Sequence, residues 1–152
     1  MKLRIEISGD GNQEVVIRCP AINDEVIRIQ NAVIAACGAS EELVLSLGDA
    51  ECFVPVGSIL FFETDGDRVA AHTASAMYST DKKLYELERA LPHTFLRVSK
   101  SCILNSALVS SIARQFAGSG EVLFYNSNKK AYASRMYYPA LKNLIYETRL
   151  SK

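Results

Sequence analysis

No two cysteines in this chain are spaced as Cys-x-x-Cys. Cys19, Cys37, Cys52 and Cys102 lie 18, 15 and 50 positions apart, and the only imidazoles are His72 and His93. Neither a zinc site nor a disulfide framework follows from such spacing, and buried thiols are the expected state. Cys102 sits beside Lys100, a neighbour able to lower a thiol pKa, although a small apolar filler is the commoner role. No apolar run approaches the ~18 residues of a membrane span. At the N-terminus Lys2, Arg4 and Glu6 alternate with Leu3, Ile5 and Ile7, which reads as a strand and not as a signal peptide. The expectation is a soluble, cytoplasmic protein. Catalytic signatures are also missing. Asp65-x-Asp67 lacks the ligands that would continue a calcium loop, and Gly118-x-Gly120 lacks the third glycine of a dinucleotide fingerprint. No nucleophile motif surrounds any cysteine. An enzyme is not expected, and neither is a metal, a cofactor or a small-molecule substrate.

Acidic residues are scarce in one part of the chain only. Residues 1–92 hold 8 Lys and Arg against 15 Asp and Glu, a net −7, whereas residues 93–152 hold 9 against 2, a net +7. Arg97, Lys100, Arg114, Lys129, Lys130, Arg135, Lys142, Arg149 and Lys152 face only Glu121 and Glu147 in that second part. A basic block of this kind suits a polyanionic partner, or else a solvated face balanced by acidic neighbours in space. The hydrophobic fraction of 49% over 152 residues allows a compact fold with a real core.

Periodicity divides the chain. Strand Met1–Ile7, a turn at Ser8–Asn12 and a strand carrying Val15, Ile17 and Cys19 read as a hairpin ended by Pro20. Asn23 offers an N-cap oxygen to a helix with Asp24 and Glu25 in its first turn. Ile22 and Ile27 occupy the positions of a hydrophobic staple, and Val26, Ile29, Val33 and Cys37 form the apolar stripe. From Leu43 the period becomes two. Short strands are expected at Leu43–Leu47, Cys52–Val54, Ile59–Phe62, Val69–Thr73 and Ala76–Ser79, with a tight turn at Asp65-Gly66-Asp67. Thr80 or Asp81 can cap a short helix with Leu84, Leu87 and Leu91 on one face, ended by Pro92. Further strands follow at Phe95–Val98, Ile103–Leu104, Val109–Ile112, Val122–Tyr125 and Lys130–Ala133. Gly118-Ser119-Gly120 and Asn126-Ser127-Asn128 are the turns, and a last helix begins at Pro139 with Leu141, Leu144 and Ile145 inward. The fold class is therefore α+β: a mostly β region over 43–152 with short helices, preceded by a strand-strand-helix segment over 1–42.

The segment Phe95 to Asn105 stands out because Arg97, Ser99, Lys100, Ser101 and Asn105 interrupt a strand and its continuation with donors suited to phosphates and base edges. Ile59-Leu60-Phe61-Phe62-Glu63-Thr64, the leucine-faced helix from Leu84 to Leu91, Phe95-x-Arg97-Val98-x-Lys100-Ser101-x-x-Leu104-Asn105, and Ala133-Ser134-Arg135 before a final helix follow in that order. This series, spread over about residues 43 to 150, resembles the LytTR-type DNA-binding domain, and the short N-terminal segment resembles that of the stand-alone bacterial regulators of this type. The resemblance implies an elongated, mostly β fold whose loops enter successive major grooves of double-stranded DNA, usually as dimers on paired direct repeats. It assigns base contacts to Asn105 and Arg135, phosphate contacts to Lys100 and Ser101, and a further contact to the loop near Arg68. Ser99 stands where many relatives carry histidine. Arg97, Lys129 and Lys130 complete the expected DNA-binding set.

The chemistry of these side chains fits such roles. Arg135 can pair with guanine O6 and N7, and Asn105 with adenine N6 and N7, each pairing worth about 1 to 3 kcal/mol of discrimination. Two structural alternatives stand beside them: Asn105 as a turn-former bonded to backbone, and Arg135 as the ion-pair partner of Glu147. The N-terminal segment is the expected homodimer contact. The competing function is a non-enzymatic interaction module whose basic C-terminal face docks an acidic protein or an anionic membrane surface.

Overall fold

The computed structural model describes residues 15–38 and 41–150. The chain divides into two compact units, Met1–Cys37 and Gly38–Lys152. In the first, helix α1 (Asp24–Gly38) starts as its sequence predicts: Asn23 Oδ1 accepts from the Val26 N–H at 2.9 Å, satisfying one of the orphan donors of the first turn. Val26 is buried and Ile29 and Val33 are half-buried, whereas Ile22 and Ile27 stay exposed, so the staple contact is not sealed. The expected strand Met1–Ile7 and its turn lie outside the described residues. Val15 to Cys19 form no strand, and Val15 and Val16 are exposed.

The second unit is mostly β. Its strands are β1 (Glu42–Leu47), β2 (Ala50–Pro55), β3 (Ile59–Asp65), β4 (Arg68–Thr73), β5 (Met77–Thr80), β6 (Phe95–Ser99), β7 (Cys102–Asn105), β8 (Val109–Arg114), β9 (Gly120–Phe124) and β10 (Lys130–Ala133). Helix α2 (Leu84–Ala90) lies between β5 and β6, and α3 (Tyr138–Leu150) follows β10. A seven-stranded sheet runs in the order β2-β1-β5-β4-β3-β7-β6, and a three-stranded sheet in the order β10-β9-β8. Every pairing among the described residues is antiparallel.

Strand β3 explains why an apolar run survives uninterrupted. Ile59, Leu60, Phe61 and Phe62 are all at most 3% exposed, because β3 is an inner strand with both faces covered. A register shift between Ile59 and Phe61 places Leu60 and Phe61 on one face and Ile59 and Phe62 on the other. The first pair packs with Val98, Leu104, Val122, Phe124, Leu141 and Ile145 in a core shared with the small sheet and α3. The second pair packs with Val69, Leu84, Leu87 and Ile103 under α2. Burial of each such side chain contributes about 1.5–3 kcal/mol.

Two predicted helix starts shift. Helix α2 is preceded by Lys83, not capped by Thr80 or Asp81: the Lys83 N–H donates to Glu86 Oε1 at 3.4 Å. Thr80 closes β5 instead, its hydroxyl accepting from the Lys82 N–H at 3.2 Å, and Asp81 is taken by Arg68. Helix α3 begins at Tyr138, one residue before Pro139. Proline costs nothing there, since first-turn N–H groups have no intrahelical acceptor.

Candidate nucleic-acid interface

Antiparallel pairing collects several connections at one end of the second unit. Strand β3 runs out to the Asp65–Asp67 turn and β4 returns from Arg68; β6 runs out to the turn at Lys100 and Ser101 and β7 returns from Cys102. The two turns are neighbours, because β3 pairs with β7 at Glu63 and Cys102 and the Thr64 N–H donates to the Ser101 carbonyl at 2.9 Å. The segment after β10 joins them through the Ser134 N–H, which donates to the Val98 carbonyl at 2.8 Å. Ala133 pairs with Gly120, so the β8–β9 connection reaches the same end. Arg68, Ser99, Lys100, Ser101 and Arg135 are thereby brought together.

These residues differ in how free they are. Lys100 and Arg135 are exposed, and among the described residues neither has a carboxylate at ion-pair distance; the alternative of an Arg135–Glu147 pair is not formed. Arg68 Nε is 3.0 Å from Asp81 Oδ1, a surface pair that a competing anion can displace. The Lys83 ammonium ties the same turn down by donating to the Asp67 carbonyl at 3.3 Å. Ser99 Oγ accepts from the Ser101 N–H at 3.2 Å and lies 3.3 Å from Ser101 Oγ, which fixes the turn that lifts Lys100.

Arg97 stands behind this turn. Its Nε donates to the Ser99 carbonyl at 2.7 Å, its Nη2 to the Lys100 carbonyl and its Nη1 to Glu88 Oε2 at 3.1 Å. The guanidinium thereby braces the turn, with three of its five N–H donors given to two turn carbonyls and a carboxylate.

Asn105 lies apart from these turns. It closes β7 at the end opposite the Lys100 turn, opposite Phe95, and is 3% exposed. Its Nδ2 donates to the Ile59 carbonyl and its Oδ1 accepts from the Ala107 N–H, both at 3.2 Å. Both ends of the amide are committed inside the fold, the arrangement of the turn-former alternative. Lys129 and Lys130 are also carried away, because β10 starts with Lys130 and ends beside Arg135. Lys129 Nζ donates to the Ala76 carbonyl at 2.7 Å, and Lys130 pairs with Glu121 at 3.1 Å, a hydrogen bond that raises its pKa.

Lys129 also bonds a histidine. His72 stacks on Phe61 with ring centres 4.3 Å apart, its Nε2 2.8 Å from Glu63 Oε1 and its Nδ1 3.4 Å from Lys129 Nζ. An ammonium can only donate, so Nδ1 accepts and Nε2 carries the proton toward Glu63. Burial lowers the pKa of His72 despite Glu63, and burial lowers that of Lys129. Cys102 is buried and its thiol is pushed up to about 12 by that burial, which makes it a core filler and not a redox group.

In the sequence Arg114 and Lys142 stand only as members of the basic block. Both line a groove of about 670 Å3 with Arg135, between the β8–β9 connection and α3. Their spacing of 28 positions gives no periodic signal; only the closure of β8, β9 and α3 joins them.

A family model for the LytTr DNA-binding domain matches residues 49–146. Uncharacterized HTH-type transcriptional regulators of Staphylococcus aureus strains NCTC 8325 and COL are each 29% identical over 146 residues, covering 95% of this chain and 98% of theirs. A solved LytTr DNA-binding domain from Bacillus cereus superposes with a TM-score of 0.64 at 19% identity, covering 70% of this chain and 97% of that one. In the present chain the described helices are separated by strands, so no two follow one another as a helix-turn-helix would require. The motif order, the mostly β architecture and the matched span agree: the chain belongs to the LytTr DNA-binding domain family.

Proposed function

We propose that this chain is a sequence-specific, double-stranded DNA-binding transcriptional regulator. One observation carries the reading: strand pairing gathers the Arg68, Lys100 and Arg135 connections at one end, with Lys100 and Arg135 free of carboxylate partners among the described residues. Loops, and not a helix, enter the major groove. Arg135 reads guanine through its two parallel donors, and Lys100 and Ser101 hold phosphates. The Ser99 hydroxyl, in place of an imidazole, serves the turn itself. The protein acts in the cytoplasm without catalysis, as a homodimer on paired direct repeats, its N-terminal segment setting the half-site spacing. The names of the staphylococcal relatives and the family of the matched domain support this assignment.

The test is fluorescence anisotropy on a duplex selected by the protein from a random pool, against its scrambled counterpart. Arg135→Ala should reduce the affinity ratio between the two, by the equivalent of about 1–3 kcal/mol for a lost bidentate base contact. Lys100→Ala should weaken both duplexes alike and flatten the salt dependence by about one unit. Equal losses on both probes from Arg135→Ala would remove it as a reader. Sedimentation of a chain lacking residues 1–37 should give a monomer, and a persisting dimer would refute the role of the N-terminal segment.

A further inference from the structure

The groove lined by Arg114, Arg135 and Lys142 is not accounted for by base reading. Its lining carries cations, the amides of Gln115 and Asn143 and tyrosine rings, and among the described residues it includes no carboxylate. Its volume of about 670 Å3 would suit a small organic ligand, but sites of that kind are mostly apolar. This lining instead offers forked and single charge-assisted donors, the set that binds phosphoryl oxygens.

Two contacts fix where Arg135 and Lys142 sit. A Cβ placed on Gly118, at φ +85°, would lie 3.2 Å from Arg135 Cγ and 3.6 Å from Cδ, so the arginine stem runs across the glycine. Arg135 is therefore held at the mouth of the groove while belonging to the end where the Lys100 turn lies. On the α3 side, the Lys142 ammonium lies 5.5 Å from the centre of the Tyr146 ring, a cation–π position that leaves its donors available. Among the described residues neither Arg114 nor Lys142 has a carboxylate at ion-pair distance.

We propose that this groove takes a phosphodiester of the DNA backbone flanking the base read by Arg135, with Arg114 and Lys142 as its phosphate contacts. The inference rests on the DNA-binding reading and extends the footprint from the connections at the end of the sheets onto the side of α3. Phosphate contacts are blind to sequence, so the groove adds affinity and register but no discrimination.

The test uses the full-length chain and a labelled random-sequence duplex, with anisotropy titrations between about 50 and 200 mM salt. Each neutralised phosphate contributes about 0.9 to the slope of log affinity against log salt, so the fourfold rise costs about 3.5-fold per contact. Arg114→Ala and Lys142→Ala should each reduce the salt-induced loss by that factor, and the double variant by about 12-fold. Arg114→Lys should restore most of the slope. Unchanged melting temperatures serve as the folding check, and Lys142→Gln replaces Lys142→Ala if the latter melts early. Slopes identical to the unsubstituted protein in both variants would overturn the groove assignment while leaving the DNA-binding reading intact. No duplex binding by the unsubstituted protein would overturn both. A parallel titration with inorganic pyrophosphate, followed by NMR, separates the sources: pyrophosphate binding lost in Arg114→Ala with DNA slopes unchanged would assign the groove to a free anion and overturn the DNA contact.

Discussion

Replacing Asn105 with alanine separates a supporting amide from a base-reading one. The substitution removes the Nδ2 bond to the buried Ile59 carbonyl and the Oδ1 bond from the Ala107 N–H, both 3.2 Å long. A typical net hydrogen bond contributes about 0.5–1.5 kcal/mol, and a buried partner left unsatisfied costs about 1–3 kcal/mol. The Ala107 N–H belongs to the short 3-10 turn Ser106–Leu108, where loss of a side-chain cap costs roughly 1 kcal/mol. Together the loss is about 2–4 kcal/mol, a large part of the ~5–15 kcal/mol that holds a domain folded. For a domain of this size that corresponds to a fall in Tm of roughly 8–16 °C. Asn105→Asp should be no better, because it sets a carboxylate against the Ile59 carbonyl. The assay is a thermal melt by circular dichroism, followed by anisotropy on target and scrambled duplexes well below the lowered Tm. The ratio between the two duplexes should be retained in the folded fraction. An unchanged Tm with that ratio collapsed toward one would refute the supporting role and return Asn105 to the base-reading set.

Other perturbations probe different layers. Gly120→Ala would bring a Cβ within 2.2 Å of the buried Tyr138 ring, which must move, so destabilisation at or above the ~1–3 kcal/mol of ordinary overpacking is expected in a denaturant melt. A fully stable variant would show that the ring yields freely. His72 has a pKa held below its usual 6.5, so its stabilising contribution is complete above 6.5 and is lost as pH falls through that value toward the folded-state pKa. The added proton would sit on Nδ1 facing the Lys129 ammonium; Tm measured from pH 7.5 to 5 should fall less steeply in His72→Gln, and parallel curves would refute the coupling. Asp65 and Asp67 flank the Arg68 turn at the proposed interface, where carboxylates repel phosphates. Asp67→Asn should therefore raise affinity for a scrambled duplex at low salt, an effect that fades as salt increases; no change would place this turn away from the backbone.

Much of the scaffold was legible because its signals are local. Alternation, and at Ile59–Phe62 an uninterrupted apolar run, marked strands of the second unit, and Asn23 announced the start of α1 through an oxygen that needs only the N–H three residues on. The basic character of residues 93–152 was also plain. Thr80, a good cap by residue type, does not cap α2, because its hydroxyl is spent on the local turn at Lys82.

The site was legible only in part, for a reason that Asn105 and Arg135 illustrate together. Both are polar, Asn105 closes a strand and Arg135 follows one, and both belong to a motif of matching order. The sequence by itself determined the strand-rich composition, the turns, the basic block and the series of motifs that identify the family, because each depends on residues near one another in the chain. Only the tertiary structure decided which donors are free. The register of β7 directs Asn105 away from the Lys100 turn and into bonds with Ile59 and Ala107, while the register of β10 brings Arg135 to that turn and leaves Lys129 at the far end. Reversal of chain direction at each hairpin decides which end of the sheet a residue reaches, and that depends on pairing between strands distant in sequence, which no local pattern encodes.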